Sequence, residues 1–308
     1  MLPIIYSERF LKHHTGRFHP ERPERLSAVV NALQVAPWSN QLDWQQPNDQ
    51  RDVQPWLETV HRRDYIERVR DLAKQGGGML DPDTVVSVRS YEVAQLAVAA
   101  WLDGIDRIIA TQEPAFVLAR PPGHHAESHS GMGFCLFSNA AIAAHYALVQ
   151  PTVERVAIFD WDVHHGNGSQ YSVENNPQIA YCSLHQSPCY PGTGQSHERG
   201  AYDNVLNIPL PAGSDFNDYR PALLDQVLPF LRQFHPDLLI VSAGYDANQA
   251  DPLAGINLHP EDYRFFTEQI LSLTHRTLFG LEGGYHLEAL AQSVMATIEG
   301  CIDWHVYV

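Results

Sequence analysis

Residues 156–167 read VAIFDWDVHHGN, an apolar run rich in β-forming side chains that gives way at once to carboxylate and imidazole groups. A run of this kind is typical of a strand that is buried on both faces of a sheet. In its extended tip, Asp160, Asp162 and His164 alternate along the backbone and therefore project to the same side. A carboxylate and an imidazole presented together suit a divalent metal ion. The alternative is a solvated loop of polar residues.

Three other short apolar runs also carry polar clusters at their ends. Residues 115–119 precede RPPGHH, residues 238–241 precede SAGYDA, and residues 277–281 precede EGGYH. Ligands of open α/β sheets bind outside the carboxyl ends of the strands. We therefore expect all four clusters to converge on one site.

The segments around these runs predict an α/β fold with a mostly parallel sheet covered by helices. The Trp-, Gln-, Asp- and Pro-rich segment 38–55 is expected to form loops. Further short strands are predicted over residues 3–6, 179–184 and 205–208. Helical patterns cover residues 26–33, 55–75, 90–110, 138–149, 218–234, 261–274 and 286–300.

The composition restricts the classes of partner. The 308 residues include 20 Lys and Arg against 36 Asp and Glu, a formal net charge of −16. This balance argues against nucleic acid, because phosphate binding needs a basic surface, and it suits cationic or neutral partners. No apolar run approaches the roughly 18 residues of a membrane span, and no signal-peptide pattern is seen. Four cysteines without CxxC spacing do not indicate a disulfide framework, so we expect a cytoplasmic protein.

The carboxylates and the imidazole predict a metal site. Asp246 lies at the end of the third apolar run and joins Asp162 and His164 as a candidate ligand. Three protein ligands with an open fourth position are the arrangement of a catalytic zinc site. Two carboxylates and one histidine are harder than the usual histidine-rich set, so ferrous iron is the alternative metal.

The adjacent histidines His124 and His125 follow a Pro-Pro-Gly turn, from which both side chains can face a pocket. Beside a site that already has three ligands, such a pair indicates acid–base chemistry. A histidine base needs its other ring nitrogen oriented by a partner, and Asp160 and Asn167 are available for this. Packing or capping roles for the two histidines are the alternative.

Aromatic residues in glycine-containing loops predict the remainder of the site. Tyr285 follows two glycines at a strand end, where its hydroxyl can donate to a developing oxyanion; a packed core tyrosine is the alternative. Gly133, Phe134 and Tyr190 lie in turn-rich segments and can form walls around a flat or aliphatic substrate arm.

Six ordered motifs, taken together, resemble the histone deacetylase superfamily, and its class II-like bacterial amidohydrolases most closely. They span almost the whole chain and read HTGRFHPERPERL, RPPGHHAESHSGMGFCLFSNAAIAA, VAIFDWDVHHGNGSQ, YCSLHQSPCYPGTG, LLIVSAGYDANQADPLAG and LEGGYHLEAL. The resemblance implies a single arginase/deacetylase-type catalytic domain over residues 1–308, built around a mostly parallel sheet of about eight strands, as in that family.

The resemblance also implies a role for each matching residue. Asp162, His164 and Asp246 would be the zinc ligands, and Tyr285 would stabilise the oxyanion. His124 and His125 would be the tandem histidines, with Asp160 behind the first and Asn167 behind the second. Gly133, Phe134 and Tyr190 would lie beside the acyl-lysine tunnel, and Asp81 or Asp83 would be the aspartate at its rim. Arg25 would line an acetate channel, and a structural potassium ion would be bound by Asp160, Asp162, His164, Ser183 and Leu184.

Three positions depart from the family pattern. Cys189 stands where an aromatic residue is usual before the tunnel tyrosine, and His286 stands where Asn or Asp is common. Leu253 lines the substrate site where the polyamine-specific members have a gatekeeper glutamate. Leu253 therefore removes one reason to expect polyamine substrates.

The prediction is a zinc-dependent amidohydrolase that removes acetyl or short acyl groups from lysine side chains of proteins or peptides. Deacetylation of polyamines or other small amines is the main alternative. A binuclear ureohydrolase would need an acidic residue after the histidine, as in DxHxD, whereas this chain reads DVHHG. A non-catalytic acyl-lysine-binding module would lack the tyrosine or a ligand, and this chain has them all. The oligomeric state is left open.

Overall fold

The four apolar runs form the centre of one sheet in the computed structural model, which describes residues 1–304. The strands in chain order are β1 (Leu2–Tyr6), β2 (Leu42–Gln45), β3 (Gly78–Met79), β4 (Val85–Val86), β5 (Ala115–Leu118), β6 (Val156–Asp160), β7 (Ile179–Gln186), β8 (Val205–Leu210), β9 (Leu238–Ala243) and β10 (Thr277–Leu281). The sheet has eight strands in the order β2-β1-β5-β10-β9-β6-β7-β8, and all its pairings are parallel. Strands β3 and β4 form a separate antiparallel pair.

Helices cover both faces of this sheet and confirm the predicted α/β architecture. They are α1 (Glu24–Val35), α2 (Gln54–Val60), α3 (Arg63–Lys74), α4 (Ser90–Thr111), α5 (Asn139–Ala147), α6 (Asn167–Val173), α7 (Phe216–Ala222), α8 (Leu228–Phe234), α9 (Pro260–Leu271) and α10 (Leu287–Trp304). Helices α4 and α5 pack on the central strands, whereas α1 and α9 both pack against α10. Every residue of β5, β6, β9 and β10 is buried, which explains why these strands read as unbroken apolar runs.

The register of the strands brings their carboxyl ends to one edge of the sheet. Asp160, the last residue of β6, pairs with Ser183 of β7 and with Ser242 of β9. Ser242 in turn pairs with Gly280 of β10, which lies opposite Val117 of β5. The polar segments that follow these strands therefore leave the sheet side by side.

Two segments differ from the sequence-based expectation. Within the segment predicted as loops, Leu42 is buried and begins strand β2, which pairs with β1. The helix predicted over residues 55–75 is divided into α2 and α3 at His61. The imidazole of His61 turns inward, where Nδ1 is 2.8 Å from the carbonyl oxygen of Glu127 and Nε2 accepts the amide of Ser138 at 2.9 Å. These contacts hold the chain in an extended conformation at the break.

The helices of residues 1–304 include none that is both long enough and apolar enough to cross a membrane.

We expect Gly280→Ala to lower the free energy of unfolding by about 1–3 kcal/mol, the usual cost of overpacking a core. A methyl group on Gly280 would overlap the indole ring of Trp101, which is fully buried in α4 and cannot move aside. Urea denaturation measures the effect. Gly255→Ala is the control, because Gly255 is exposed and the atom nearest to the added methyl carbon is 3.3 Å away. Equal stability of the two variants would show that the contact between α4 and β10 is loose.

Candidate metal and catalytic site

A cavity of about 220 Å³ opens at the carboxyl edge of the sheet, where the four polar clusters meet. Its lining residues come from three of these clusters and from four further segments of the chain. They are Asp83, His125, Gly133, Phe134, His164, Tyr190, Leu253 and Tyr285.

The three residues predicted as metal ligands lie together below this cavity. One ligand atom each of Asp162, His164 and Asp246 lies within 4.8 Å of the other two, and all three residues are buried. His164 Nδ1 is 3.1 Å from Asp162 Oδ1 and 3.1 Å from Asp246 Oδ2. The amide of Gly283 donates to Asp162 Oδ2 at 2.9 Å, and the amide of Val163 donates to Asp246 Oδ1 at 2.9 Å. Backbone amides therefore fix the orientation of both carboxylates.

The surroundings of this group fit a divalent cation. A side chain at Gly244 would overlap the carboxylate of Asp162, and one at Gly283 would overlap both carboxylates, so glycine is required at these positions. Burial alone lowers the pKa of His164, but its hydrogen bonds to Asp162 and Asp246 raise the pKa well above the usual range. Two buried carboxylates thus attract positive charge to the point where they meet the imidazole. Zinc and ferrous iron both accept such nitrogen and oxygen donors.

A second group of ligand-type side chains, His124, Cys135 and Glu282, also lies within 4.8 Å of one another. Its atoms already have hydrogen-bond partners. Glu282 Oε2 accepts the amides of Gly123 at 2.6 Å and His124 at 3.2 Å, and the Cys135 thiol donates to a backbone carbonyl at 3.4 Å. His124 Nδ1 is 3.1 Å from Asp160 Oδ2. We therefore interpret this group as support for the histidine turn.

The two adjacent histidines have partners of different charge. The ring of His124 lies 3.9 Å from that of His125, whose Nδ1 is 2.8 Å from Asn167 Oδ1. Burial lowers the pKa of His124, but Asp162 and Asp160 outweigh burial and raise the pKa to about 10. Burial and the charge of His124 hold the pKa of His125 well below its usual range. The carboxylates thus favour the protonated form of His124, whereas burial and the charge of His124 favour the neutral form of His125.

Tyr285 reaches the cavity from the loop after β10. Gly284 precedes it with φ of +113°, a conformation that favours glycine. The ring of Phe134 meets the tyrosine ring edge-on at 5.6 Å, and the guanidinium of Arg25 lies 4.9 Å from the centre of the tyrosine ring. Burial and the charge of Asp246 raise the pKa of Tyr285 well above its usual range. The phenol therefore keeps its proton and can donate it in a hydrogen bond.

The residues predicted as tunnel walls, Gly133, Phe134 and Tyr190, all line the cavity. The ring of Tyr190 meets that of His125 edge-on at 5.1 Å, and the amide of Phe134 donates to Thr84 Oγ1 at 3.0 Å. A side chain at Gly133 would overlap the imidazole of His125, so glycine allows a close approach to this ring. Gly133 and Tyr190 therefore both lie directly against His125.

Two exposed lining residues, Asp83 and Leu253, define the mouth of the cavity. Asp83 lines the cavity, whereas Asp81 Oδ1 accepts the amides of Asp83 at 3.1 Å and Thr84 at 2.6 Å. Asp81 thus shapes the turn that carries Asp83. Leu253 is 37% exposed, so an apolar side chain and a carboxylate meet any substrate that enters.

Arg25 lies behind Tyr285 and is fully buried. Its Nε donates to the carbonyl of Gly284 at 2.6 Å, its Nη2 donates to the carbonyl of Glu282 at 2.5 Å, and its Nη1 is 3.3 Å from Glu21 Oε1. Glu21 also accepts two hydrogen bonds of 2.6 Å from Arg120. The guanidinium therefore supports the loop of Tyr285, and its placement in an acetate channel stays a prediction.

The residues predicted to surround potassium lie at the ends of β6 and β7. Ser183 Oγ is 2.9 Å from His185 Nδ1, within hydrogen-bond distance. The potassium site itself stays a prediction. Its five residues are Asp160, Asp162, His164, Ser183 and Leu184.

Four supporting residues were not predicted from the sequence: Glu21, Arg120, Asp251 and Glu282. Asp251 and Glu282 lie inside the motifs DPLAG and LEGGYH, which were noticed for other residues. Their partners are mainly backbone amides of distant segments. An acidic residue in a motif was the available signal, and it did not indicate which amides the carboxylate would meet.

Comparisons with known proteins agree with this geometry. The model of the histone deacetylase domain matches residues 19–301. An uncharacterized protein of Synechocystis sp. is 57% identical over 300 residues, which cover 97% of this chain and 99% of that protein. The histone deacetylase-like amidohydrolase of Pseudomonas aeruginosa is 36% identical over 293 residues, which cover 91% of this chain and 76% of that protein.

The crystal structure of the HDA15 HD domain superposes with a TM-score of 0.93 at 34% sequence identity, covering 99% of this chain and 92% of that one. The chain therefore belongs to the histone deacetylase family of deacetylases and amidohydrolases, and it is a hydrolase. The resemblance predicted from the motifs is confirmed.

We expect Asp162→Ala, His164→Ala and Asp246→Ala each to lower bound metal and abolish turnover, because each removes one of three buried donors. Elemental analysis after dialysis measures the metal. His197→Ala, at an exposed position, is the control and should keep both the bound metal and the turnover of the wild type. Full metal occupancy in any of the three variants would contradict the ligand assignment.

Proposed function

We propose that this hydrolase is a zinc-dependent deacetylase that removes acetyl or short acyl groups from lysine side chains of proteins or peptides. Residues 1–308 would form one catalytic domain. The arrangement of His125 and Tyr285 supports the proposal best, because both side chains line the cavity that also contains the candidate ligand His164. A base, a hydroxyl donor and a metal site around one cavity are what amide hydrolysis requires.

Asp162, His164 and Asp246 would hold the metal, and structural potassium would bind near the ends of β6 and β7. A bound zinc ion supplies Lewis-acid polarisation of the amide carbonyl and lowers the pKa of a water. Ferrous iron suits the same donors and is the alternative metal.

His125 is the proposed general base and acid. Asn167 Oδ1 accepts the Nδ1 proton of His125 at 2.8 Å, which leaves Nε2 without a proton and able to receive one from the attacking water. The same imidazole then returns the proton to the leaving amine. His124 keeps its positive charge beside Asp160 and stabilises the negative charge that develops nearby.

Tyr285 is the proposed hydrogen-bond donor to the carbonyl oxygen. In the ground state this oxygen is only weakly basic, so the phenol contributes little to binding. As the oxygen gains negative charge, the hydrogen bond strengthens, and only such differential binding accelerates the reaction. Phe134 and Arg25 pack against the ring and hold the hydroxyl in place.

The shape of the cavity favours an acyl-lysine substrate. Phe134 and Tyr190 line it, as suits the aliphatic arm of a lysine. Leu253 at the mouth offers no charge to a distant amine of a polyamine. Acetylated polyamines are the second candidate, because Asp83 at the mouth of a chain with net charge −16 attracts small cations.

A substrate panel tests this choice. We expect acetyl-lysine and acyl-lysine peptides to exceed acetylated polyamines in kcat/KM by about tenfold or more, since specificity follows differential transition-state binding. A metal-stripped sample of the enzyme is the control for every substrate. The reverse ranking would assign the enzyme to small amines, and no turnover of any amide by the metal-loaded enzyme would overturn the deacetylase proposal.

The cytoplasm is the proposed compartment. The cysteines Cys135, Cys182, Cys189 and Cys301 are all free thiols. Reducing compartments maintain this state.

We expect Tyr285→Phe to lower kcat by about 100-fold or more, roughly 3 kcal/mol, with the dissociation constant of the substrate changing by less than about tenfold. The substitution keeps the ring contacts with Phe134 and Arg25 and removes only the hydroxyl. Single-turnover rates, equilibrium binding and metal content measure the effect. Tyr202→Phe, which alters an exposed phenol, is the control. A rate near that of the wild type would show that the tyrosine only packs.

A further inference from the structure

The carboxylate of Asp251 binds three backbone amides from two different loops. Its Oδ2 accepts the amides of Tyr285 at 2.6 Å and His286 at 3.3 Å, and its Oδ1 accepts the amide of Leu253 at 3.0 Å. The side chain is only 7% exposed. Hydrogen bonds from amides to a buried carboxylate are strong, so this contact fixes both loops relative to each other.

The two loops lead to different parts of the cavity. One carries Tyr285, whose phenol we place at the reacting carbonyl, and the other carries Leu253 at the mouth. The second loop, which follows β9, also contains Asp246, a candidate metal ligand five residues before Asp251. A single carboxylate therefore connects the segments of the metal ligand, the mouth and the oxyanion donor.

The backbone before Tyr285 has little stiffness of its own. Gly283 and Gly284 precede it, and Gly284 adopts φ of +113°. Arg25 holds the carbonyl of Gly284, and Phe134 contacts the tyrosine ring. The amide of the tyrosine itself is held by Asp251. Loss of this contact would free the residue to shift along the cavity, although its ring would remain packed.

We propose that Asp251 is a positioning residue for the deacetylation reaction, which fixes the backbone of Tyr285 and thereby the reach of its phenol. This inference rests on the proposed function. Asp251 is not among the residues that line the cavity, so it acts through the segments it holds, and of these the loop of Tyr285 carries the proposed oxyanion donor. Misplacing a catalytic group by about 1 Å can slow a reaction about 100-fold.

Asparagine is the discriminating substitution at this position. It matches aspartate in size but has one oxygen, so it can accept from Leu253 or from the Tyr285 and His286 pair, but not from both. Its amide nitrogen would face a backbone N–H instead. The variant therefore tests the hydrogen bonds with little change in packing.

We expect Asp251→Asn to lower kcat by about 10- to 100-fold, the usual range for a supporting group, with KM changing by less than about threefold. In the Tyr285→Phe background, Asp251→Asn should lower kcat by less than about twofold relative to Tyr285→Phe alone, because the hydroxyl that Asp251 positions is already gone. Acetyl-lysine peptide turnover, metal content and urea midpoints are measured for the wild type, both single variants and the double variant.

Asp262→Asn is the matched control, since this buried carboxylate accepts a hydrogen bond of 2.7 Å from the amide of His259 at the start of α9. Its rate should equal that of the wild type.

Equal loss of kcat in both tyrosine backgrounds, or an unchanged kcat in Asp251→Asn, would overturn the positioning role. A wild-type rate in Tyr285→Phe would overturn the proposed oxyanion donor and the role of Asp251 with it. The two failures are thus distinguishable. If Asp251→Asn does not fold, Asp251→Glu, which keeps both oxygens, is compared in the same two backgrounds and judged by the same criterion.

Discussion

Two buried carboxylates, those of Asp162 and Asp246, approach the same imidazole at the carboxyl edge of the sheet. Buried negative charges are stable only when hydrogen bonds and positive charge compensate for lost hydration. The amides of Gly283 and Val163 provide part of this compensation, and His164 provides more when it is protonated. The parallel register is what places these groups together, because four central strands end at the same edge. The site therefore depends on the strands keeping that register.

The charge around this centre also explains why two adjacent histidines differ. His124 faces Asp160, a carboxylate, whereas His125 faces Asn167, a neutral amide. Against the effect of burial, Asp162 and Asp160 raise the pKa of the first ring, whereas burial and the charge of His124 lower the pKa of the second. Groups whose environments shift their pKa values in opposite directions are suited to separate acid–base roles. The carboxylates around His124 and the burial of His125 thus shift the pKa values of the pair in opposite directions.

The features of the structure that could be predicted from the sequence are those encoded by residues that are neighbours along the chain. The central strands read as apolar runs because both faces are buried. Strand alternation groups Asp162 and His164 as candidate ligands; they do lie together, but in bends beyond the end of β6 at Asp160. Other features depend on distant partners. Strand β2 has only Leu42 buried, which leaves no apolar pattern to recognise. The break at His61 depends on Glu127 and Ser138, far away in the chain, and no local pattern indicates it.

The glycines before Tyr285 show how one requirement of the site creates another. Gly283 is needed because a side chain there would overlap both candidate carboxylate ligands. Glycine, however, gives the chain conformational freedom at the point where the tyrosine must be held firmly. Arg25 and Asp251 offset this freedom by binding the carbonyl of Gly284 and the amide of Tyr285. Close approach to the carboxylates thus makes buried charged groups from elsewhere in the chain necessary to hold the tyrosine.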